Sequence, residues 1–398
     1  MDRNTLSVLK NQIQDELHFD DAGYGLITAT FLWTYAIAYV ISGRIVDRLG
    51  SRKSFLIFVS GWSIANMLHA LATGVGSFQF FRGLLATMEP ASFPAGIKAV
   101  SEWFPMRERA LAVGIFNAGT ALGNTLAVPV AANIALYFGW QAAFVFTGGI
   151  GFVWVAIWYF VYRLPQDHPR ITDEEKQLIL EGREAEDEAG GEKPSFLELL
   201  KMPATWGCAL ARLLTDPISY FLFFWTPSYL QTERGFNLKD VAMYAWIPFA
   251  ALTLGNVFSG AMPRFLISRG WTLNVARKST MLGVSLSMLV LCFLVTQATT
   301  PVTAVLILAA VMFGHAAWGN ITLPAEVFHK NAVGSVTGFG GFLGGIAGGI
   351  TQLVIAGVVT KYGYSPIFAV CSVMYLLALA GVHFLIGELG VIRRVKAA

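Results

Sequence analysis

The sequence predicts an all-α membrane protein of twelve spans in two six-helix bundles, with the first span shortened at its start. Three observations carry that prediction. Of 398 residues, 55% are hydrophobic and 13% charged, with a mean hydropathy of +0.58, whereas a soluble domain is about a quarter charged. The apolar residues fall in runs long enough to span a bilayer. The basic residues gather in loops on one side, and two of those loops repeat.

A helix needs about 20 apolar residues to cross about 30 Å of hydrocarbon. Eleven segments qualify: 22–44, 54–73, 77–101, 108–137, 140–164, 204–230, 238–266, 276–297, 300–322, 333–358 and 365–388. The opening "MDRNTLSVLK" runs at once into the polar "NQIQDELHFDD", about ten residues or roughly 15 Å of helix. It reads as the second half of a span whose first half lies upstream of Met1. No basic stretch or small-residue cleavage site marks a signal peptide.

The polar stretch 165–200 holds 11 of the 25 acidic side chains between Asp167 and Glu198, so the net charge of +3 says little about partners. Thr172, Asp173 and Glu174 have the pattern of a helix start, and "DEAGGEKP" that of a flexible linker. The predicted organisation is therefore a first bundle over 1–164, a linker over 165–200 and a second bundle over 201–398. About 20 of the 28 Lys and Arg lie on one side, most of them in "GRIVDRLGSRK", "MRER", the linker, "RFLISRGWTLNVARK", Lys330 and "RRVK". Lys10, Arg234, Lys239 and Lys361 lie on the other. The positive-inside rule makes the linker and C-terminus cytoplasmic. The basic loops beginning at Gly43 and Gly260 occupy the same place in each half, between its second and third spans. Such repeats build alternating-access carriers around a midplane site.

Ionisable side chains within spans are costly and therefore candidate sites. They are Asp2 and Arg3, Arg82 and Glu89, Arg212 and Asp216, and His315. Arg82 and Glu89 stand two turns apart on one face, about 10 Å along the axis, with Pro90 and Pro94 loosening the helix beside the carboxylate. Such a carboxylate, balanced between desolvation and a nearby arginine, is suited to gain and lose a proton; a structural ion pair between helices is the other reading. Asp2 and Arg3 point about 100° apart. Arg212 and Asp216, at i and i+4, read as an intrahelical salt bridge, and His315 as a helix-packing histidine, with a proton relay the alternative.

Polar groups also gather in midspan: Tyr35, Asn117, Thr120, Tyr220, Trp225, Trp318 and Asn320. Amides, hydroxyls and aromatic faces beside an arginine suit a polyhydroxylated organic anion, though Tyr220 and Trp225 equally suit packing. The glycines of "GFGGFLGGIAGG", 338–349, read as close helix packing. Cys208, Cys292 and Cys371 lack metal-site spacing and read as buried small hydrophobes. No nucleophile–base pair, metal cluster or cofactor loop points to an enzyme.

The motifs also carry a resemblance. "GRIVDRLGSRK" is similar to the loop signature of the major facilitator superfamily, through Gly43, Asp47, Arg48, Gly50 and Arg52. "DRNTLS", "RGLLATMEPASFPAG" and "LPAEVF" with "VGSVTGFGG" resemble its anion:cation symporter branch. "LLTDPISYFLFFWTPSYL" and "RGWTLNVARK" look most like hexuronate transporters, a pattern that galactonate and glucarate carriers share. The glycines at 114, 119 and 123 lack the Gly-Pro signature of drug/proton antiporters.

The resemblance implies the twelve-helix major-facilitator fold and a carrier of sugar-acid anions in the inner, cytoplasmic membrane. It makes Asp2 and Glu89 the proton-coupling carboxylates and Arg3 the ligand of the substrate carboxylate, with Tyr35, Arg82, Asn117 and Thr120 around the cavity. Contacts from the second half, Trp318 to Asn320, follow the branch's pattern loosely. The expected partners are a small organic anion and the lipid bilayer, with no nucleic acid. The coupling ion is a proton, with sodium the rival; no metal or other cofactor is implied, and the expected state is a monomer.

Overall fold

The computed structural model describes residues 1–104, 106–169, 171–177, 179 and 194–390, and every regular element among them is helical. The first half runs α1 (Asp2–Leu17), α2 (Asp21–Leu68), α3 (Val75–Met88), α4 (Ser92–Trp103), α5 (Met106–Phe138) and α6 (Trp140–Val161). A short α7 (Phe196–Leu200), capped by the Ser195–Glu198 box, leads into the second half. That half comprises α8 (Pro203–Thr232), α9 (Leu238–Tyr244), α10 (Trp246–Ser268), α11 (Leu273–Gln297), α12 (Pro301–Trp318), α13 (Leu323–Val327), α14 (Lys330–Tyr362) and α15 (Ser365–Ile386).

Each of the eleven predicted spans is met by helix. Eight helical stretches among the described residues are long and apolar enough to cross a membrane. One of them contains two predicted spans, because α2 covers 22–44 and most of 54–73 without interruption. At 1.5 Å per residue its 48 residues would reach about 72 Å, more than twice the hydrocarbon thickness, so it must turn back. It does so at Gly50, whose φ of 76° is the only non-helical conformation within α2 and suits a residue without Cβ. The predicted basic loop at Gly43 is therefore helix on both sides of a one-residue turn. Its counterpart is short too, spanning Arg269 to Thr272 between α10 and α11, with Gly270 at φ 92°. The two predicted spans outside the eight are 77–101, broken into two short helices, and 204–230, where α8 is long enough but less apolar.

In the linker, the Glu175 amide donates to Thr172 Oγ1 at 3.2 Å, which is the predicted helix start. Most of "DEAGGEKP" and the "RRVK" tail lie outside the described residues. Large apolar side chains such as Leu71, Phe80, Phe160 and Phe384 face outward, where lipid rather than water would meet them. All three cysteines are buried and unbridged.

The halves meet mainly where α1 touches α8, α2 touches α14, and α5 touches α9 and α10. Gly25 brings α2 against Ala356 and the Gln352 carbonyl, and Gly345 admits Ala36. The hydrogen bonds crossing between halves lie at mid-helix or toward the end away from the basic turns. Tyr24 donates to the Phe224 carbonyl at 2.8 Å and Trp33 Nε1 to the Ile346 carbonyl at 3.2 Å. Lys10 Nζ donates to Ser228 Oγ at 2.9 Å, pairs with Asp21 at 2.6 Å and sits 4.4 Å from the Trp225 ring centre. Lys10, which charge sidedness places at the surface, is only 1% exposed.

At the basic end the networks close within each half. Ser51, Glu102 and Tyr162 hydrogen-bond together in the first, and Lys98 pairs with Asp47 at 3.7 Å. In the second, Arg277 is fully buried, although the sequence counts it among basic loop residues. It donates to the Ser259 and Gly319 carbonyls at 2.6 Å each, to Thr322 Oγ1 and to Glu326 at 3.1 Å. These partners hold the break between α12 and α13. Removing a buried guanidinium from such a set costs about 3–5 kcal/mol. Arg277→Met should therefore lower the melting temperature in detergent by several degrees, whereas Arg264→Met, at an exposed arginine of α10, should leave it unchanged.

Candidate functional site

The site begins with a break in a helix. Pro90 has no amide to donate, and α3 gives way after Met88 to a tight 3-10 turn over Glu89–Ala91 before α4 resumes at Ser92. Ser92 Oγ caps the Glu89 carbonyl at 2.8 Å. The break leaves the Glu89 carboxylate beside α1.

There it accepts from Arg3 Nε at 2.5 Å. Arg82 instead donates through Nη2 to the Arg3 carbonyl at 3.3 Å and is 2% exposed. Arg82 of α3 and Glu89 of the turn after it thus both grip Arg3 of α1, and the guanidinium that reaches Glu89 belongs to Arg3. The Arg3 side chain is 38% exposed against 12% for Glu89, so this pair opens on one side. Beneath the guanidinium lie the Tyr35 ring, with its centre at 4.3 Å, and the Phe31 ring at 5.4 Å. Tyr35 is stacked between Phe31 at 5.8 Å and Tyr39 at 6.1 Å. The neighbouring Asp2 makes no ion pair among the described residues, and its Oδ1 is buried without a hydrogen-bond partner.

The second half contributes a matching arrangement. Its α12 also stops at a 3-10 turn, Asn320–Thr322, before α13. Gly319 at that stop has φ 69° and lies so close to Arg277 that a Cβ would come within 2.6 Å of its Nη2. Asn320 Nδ2 donates to Thr215 Oγ1 at 2.7 Å and to Asp216 Oδ1 at 2.9 Å. Asp216 in turn takes Arg212 at 2.8–2.9 Å through Nη2 and Nε. Each half therefore sets an arginine of its first span beside a broken helix: Arg3 pairs with Glu89, which opens the first break, whereas Arg212 pairs with Asp216 on its own helix and Asp216 takes Asn320, which opens the second.

Other predicted residues are spread around these pairs. Tyr220 lies one turn beyond Asp216, stacked 6.3 Å from Phe224. Thr120 is exposed on α5, and the Asn117 side chain is outside the described residues. Trp225 and Trp318 are both buried: Trp225, packed against Lys10 and Tyr24 of the first half, donates from Nε1 to Gln352 Oε1 at 2.8 Å, and Trp318 Nε1 donates to Ser285 Oγ at 3.0 Å. Neither offers a free ring face to a ligand in this state. His315 hydrogen-bonds Tyr375 at 2.7 Å, the packing role expected of it. Among the motif residues, Asp47 meets Lys98, Arg52 donates to the Tyr159 carbonyl at 3.2 Å, and Arg48 is exposed. Tyr39 and the buried Arg277 were missed, the first because one more tyrosine in an aromatic run is unremarkable. No group of acidic, histidine or cysteine side chains among the described residues has metal-site geometry.

The chain matches the family described as Major Facilitator Superfamily over residues 1–352. It is 32% identical over 379 residues to the "Hexuronate transporter" of Escherichia coli (strain K12), covering 94% of this chain and 88% of that protein. It is 36% identical over 262 residues to the "Galacturonate transporter" of Dickeya chrysanthemi, covering 66% and 76%. It is 30% identical over 412 residues to the "Probable galactarate/D-glucarate transporter GarP" of Escherichia coli (strain K12), covering 98% and 91%. In fold it resembles the inward open conformation of the xylose transporter XylE from E. coli, with a TM-score of 0.75 at 14% identity over 97% of this chain and 93% of that one. The family match over most of the chain and the broken, charge-bearing helices agree: this protein belongs to the Major Facilitator Superfamily and is a multi-pass membrane transporter, not an enzyme.

Proposed function

We propose that the protein is a proton-coupled symporter importing sugar-acid anions, hexuronates first, by alternating access. The observation that carries this reading is the half-open Arg3–Glu89 pair. Glu89 holds the Arg3 guanidinium by its Nε edge at 2.5 Å, and a substrate carboxylate gains that edge only if Glu89 lets go. Protonation removes the charge that holds Glu89 there and frees the planar fork for a bidentate ligand. Proton and anion then bind together, because each lowers the cost of the other.

Asp2, buried beside this contact with an unpartnered oxygen, supplies a second acid. One proton with a monoanion is electrically silent; a second adds one net charge, worth about 2.3 kcal/mol per 100 mV. The bonds between halves toward the end away from the basic turns, and the separate networks at the basic end, support a state closed outside and open inside. The relatives named for hexuronate and galacturonate support the substrate class. The one named for galactarate and glucarate supports the rival acids. Exchanging sodium for choline separates proton from sodium coupling.

Purified protein in liposomes, given an inward proton gradient, should accumulate glucuronate or galacturonate faster than without it; no acceleration would overturn the proposal. Glu89→Gln should lose uphill accumulation yet retain exchange of internal for external substrate. Concentrative uptake equal to the parent would assign Glu89 a purely structural part. Arg3→Lys removes the fork and should weaken sugar-acid binding by on the order of tenfold to a hundredfold, the ~1.5–3 kcal/mol of a charge-assisted hydrogen bond. Unchanged affinity by calorimetry would take Arg3 out of the site.

A further inference from the structure

One face of α8 carries Arg212, Asp216 and Tyr220 at i, i+4 and i+8. The Arg212 guanidinium is committed to Asp216 Oδ2 and, through Nη1, to the Thr337 carbonyl at 3.1 Å. Asp216 Oδ1 is held by Asn320 at 2.9 Å. The group is therefore an uncharged unit of one cation, one anion and one amide. Its side chains are not sealed, being 16% exposed for Arg212 and 9% for Asp216.

The glycines of α14 explain how the unit fits. A Cβ at Gly341 would come within 2.8 Å of Arg212 Nη1, and Cβ atoms at Gly344 and Gly348 would collide with Asp216 and Tyr220. Gly345, between them, meets Ala36 of α2 instead. The glycine run thus beds the α8 face beside α2, and an aromatic row joins the two: Tyr220 stacks on Phe224, Phe224 meets Phe31 of α2 edge-on at 6.4 Å, and Phe31 lies under the Arg3 guanidinium. Arg3 touches one end of this aromatic row, and Asp216 stands one turn before Tyr220 at the other.

Resting on the proposed sugar-acid function, we infer that Arg212, Asp216 and Asn320 form the specificity subsite for the uncharged end of the substrate, reading its hydroxyls and rejecting a second carboxylate. A hydroxyl both donates and accepts, and this unit offers both, through the carboxylate lone pairs and the guanidinium and amide N–H groups. A second carboxylate here has no free cation. It must face Asp216 or displace it from Arg212, leaving a buried anion with only Asn320 to answer it. Repulsion built into the site selects acids with one carboxylate over those with two.

The test compares D-glucuronate, with one carboxylate, and D-glucarate, with two, binding to the purified full chain by calorimetry. Wild type should prefer glucuronate by on the order of tenfold or more, as like charges held close require. D216N keeps the shape but frees the Arg212 charge, and should move the ratio toward or past parity. R212M/D216M, which leaves no unpaired charge, should weaken glucuronate binding and also narrow the ratio. A purely structural lock between α8, α14 and the Asn320 turn predicts the wild-type ratio in every variant that folds, and that result overturns the inference. Equal wild-type affinity for the two acids overturns it as well, while leaving the proposed function intact. Binding of neither acid by wild type defeats the proposed function itself, so the two failures are distinct.

Discussion

A guanidinium placed among apolar helices must be answered by a charge, and the answer to Arg3 is Glu89. The proposed function requires that answer to be reversible. Pro90 opens α3, so the carboxylate comes from a turn rather than a continuous helix. Arg82 fixes the backbone of α1 beneath the contact, and Tyr35 gives the guanidinium a face to rest on when its partner is withdrawn. An ion pair sealed on all sides would be a rivet. One exposed on a single side is a place where a ligand can compete.

The same device recurs in the second half in a different chemical key. A broken helix again faces an arginine–carboxylate pair, but Asn320 stands where the first half has a carboxylate, and the pair lies within one helix. With its acid already on α8, this pair is neutral and firmly held, while the α1 pair must be completed from α3. On the proposed function, that asymmetry gives exchange of charge to the first half and recognition of shape to the second. Arg277, tying Gly319, Thr322 and Glu326 together, keeps the second break in place.

The spans were legible because a bilayer demands long apolar runs, and Glu89, Arg82 and Pro90 stood out because charge and proline are conspicuous in such a run. What the sequence hid is tertiary. Nothing in it says that the arginine reaching Glu89 lies 86 positions away rather than seven. Arg277 was concealed among basic loop residues, since a buried arginine and a solvated one look alike without their partners. Trp318 stood as a candidate ligand contact and Trp225 as either ligand contact or packing residue, and the sequence did not show that each gives its indole N–H to a partner in the second half. The glycine run was read as packing, and its detail, a bed for an ion pair as well as a seam against α2, needed coordinates.

The central claim is that substrate and proton enter together because both act on one contact. It is tested most directly by adding glucuronate to the purified protein in weak buffer and recording the pH of the solution. The account predicts proton uptake on binding, saturating with the ligand, and its loss in Glu89→Gln, which binds the acid without taking up that proton. Uptake of equal size in Glu89→Gln, or saturable binding by wild type with no proton uptake, would contradict it.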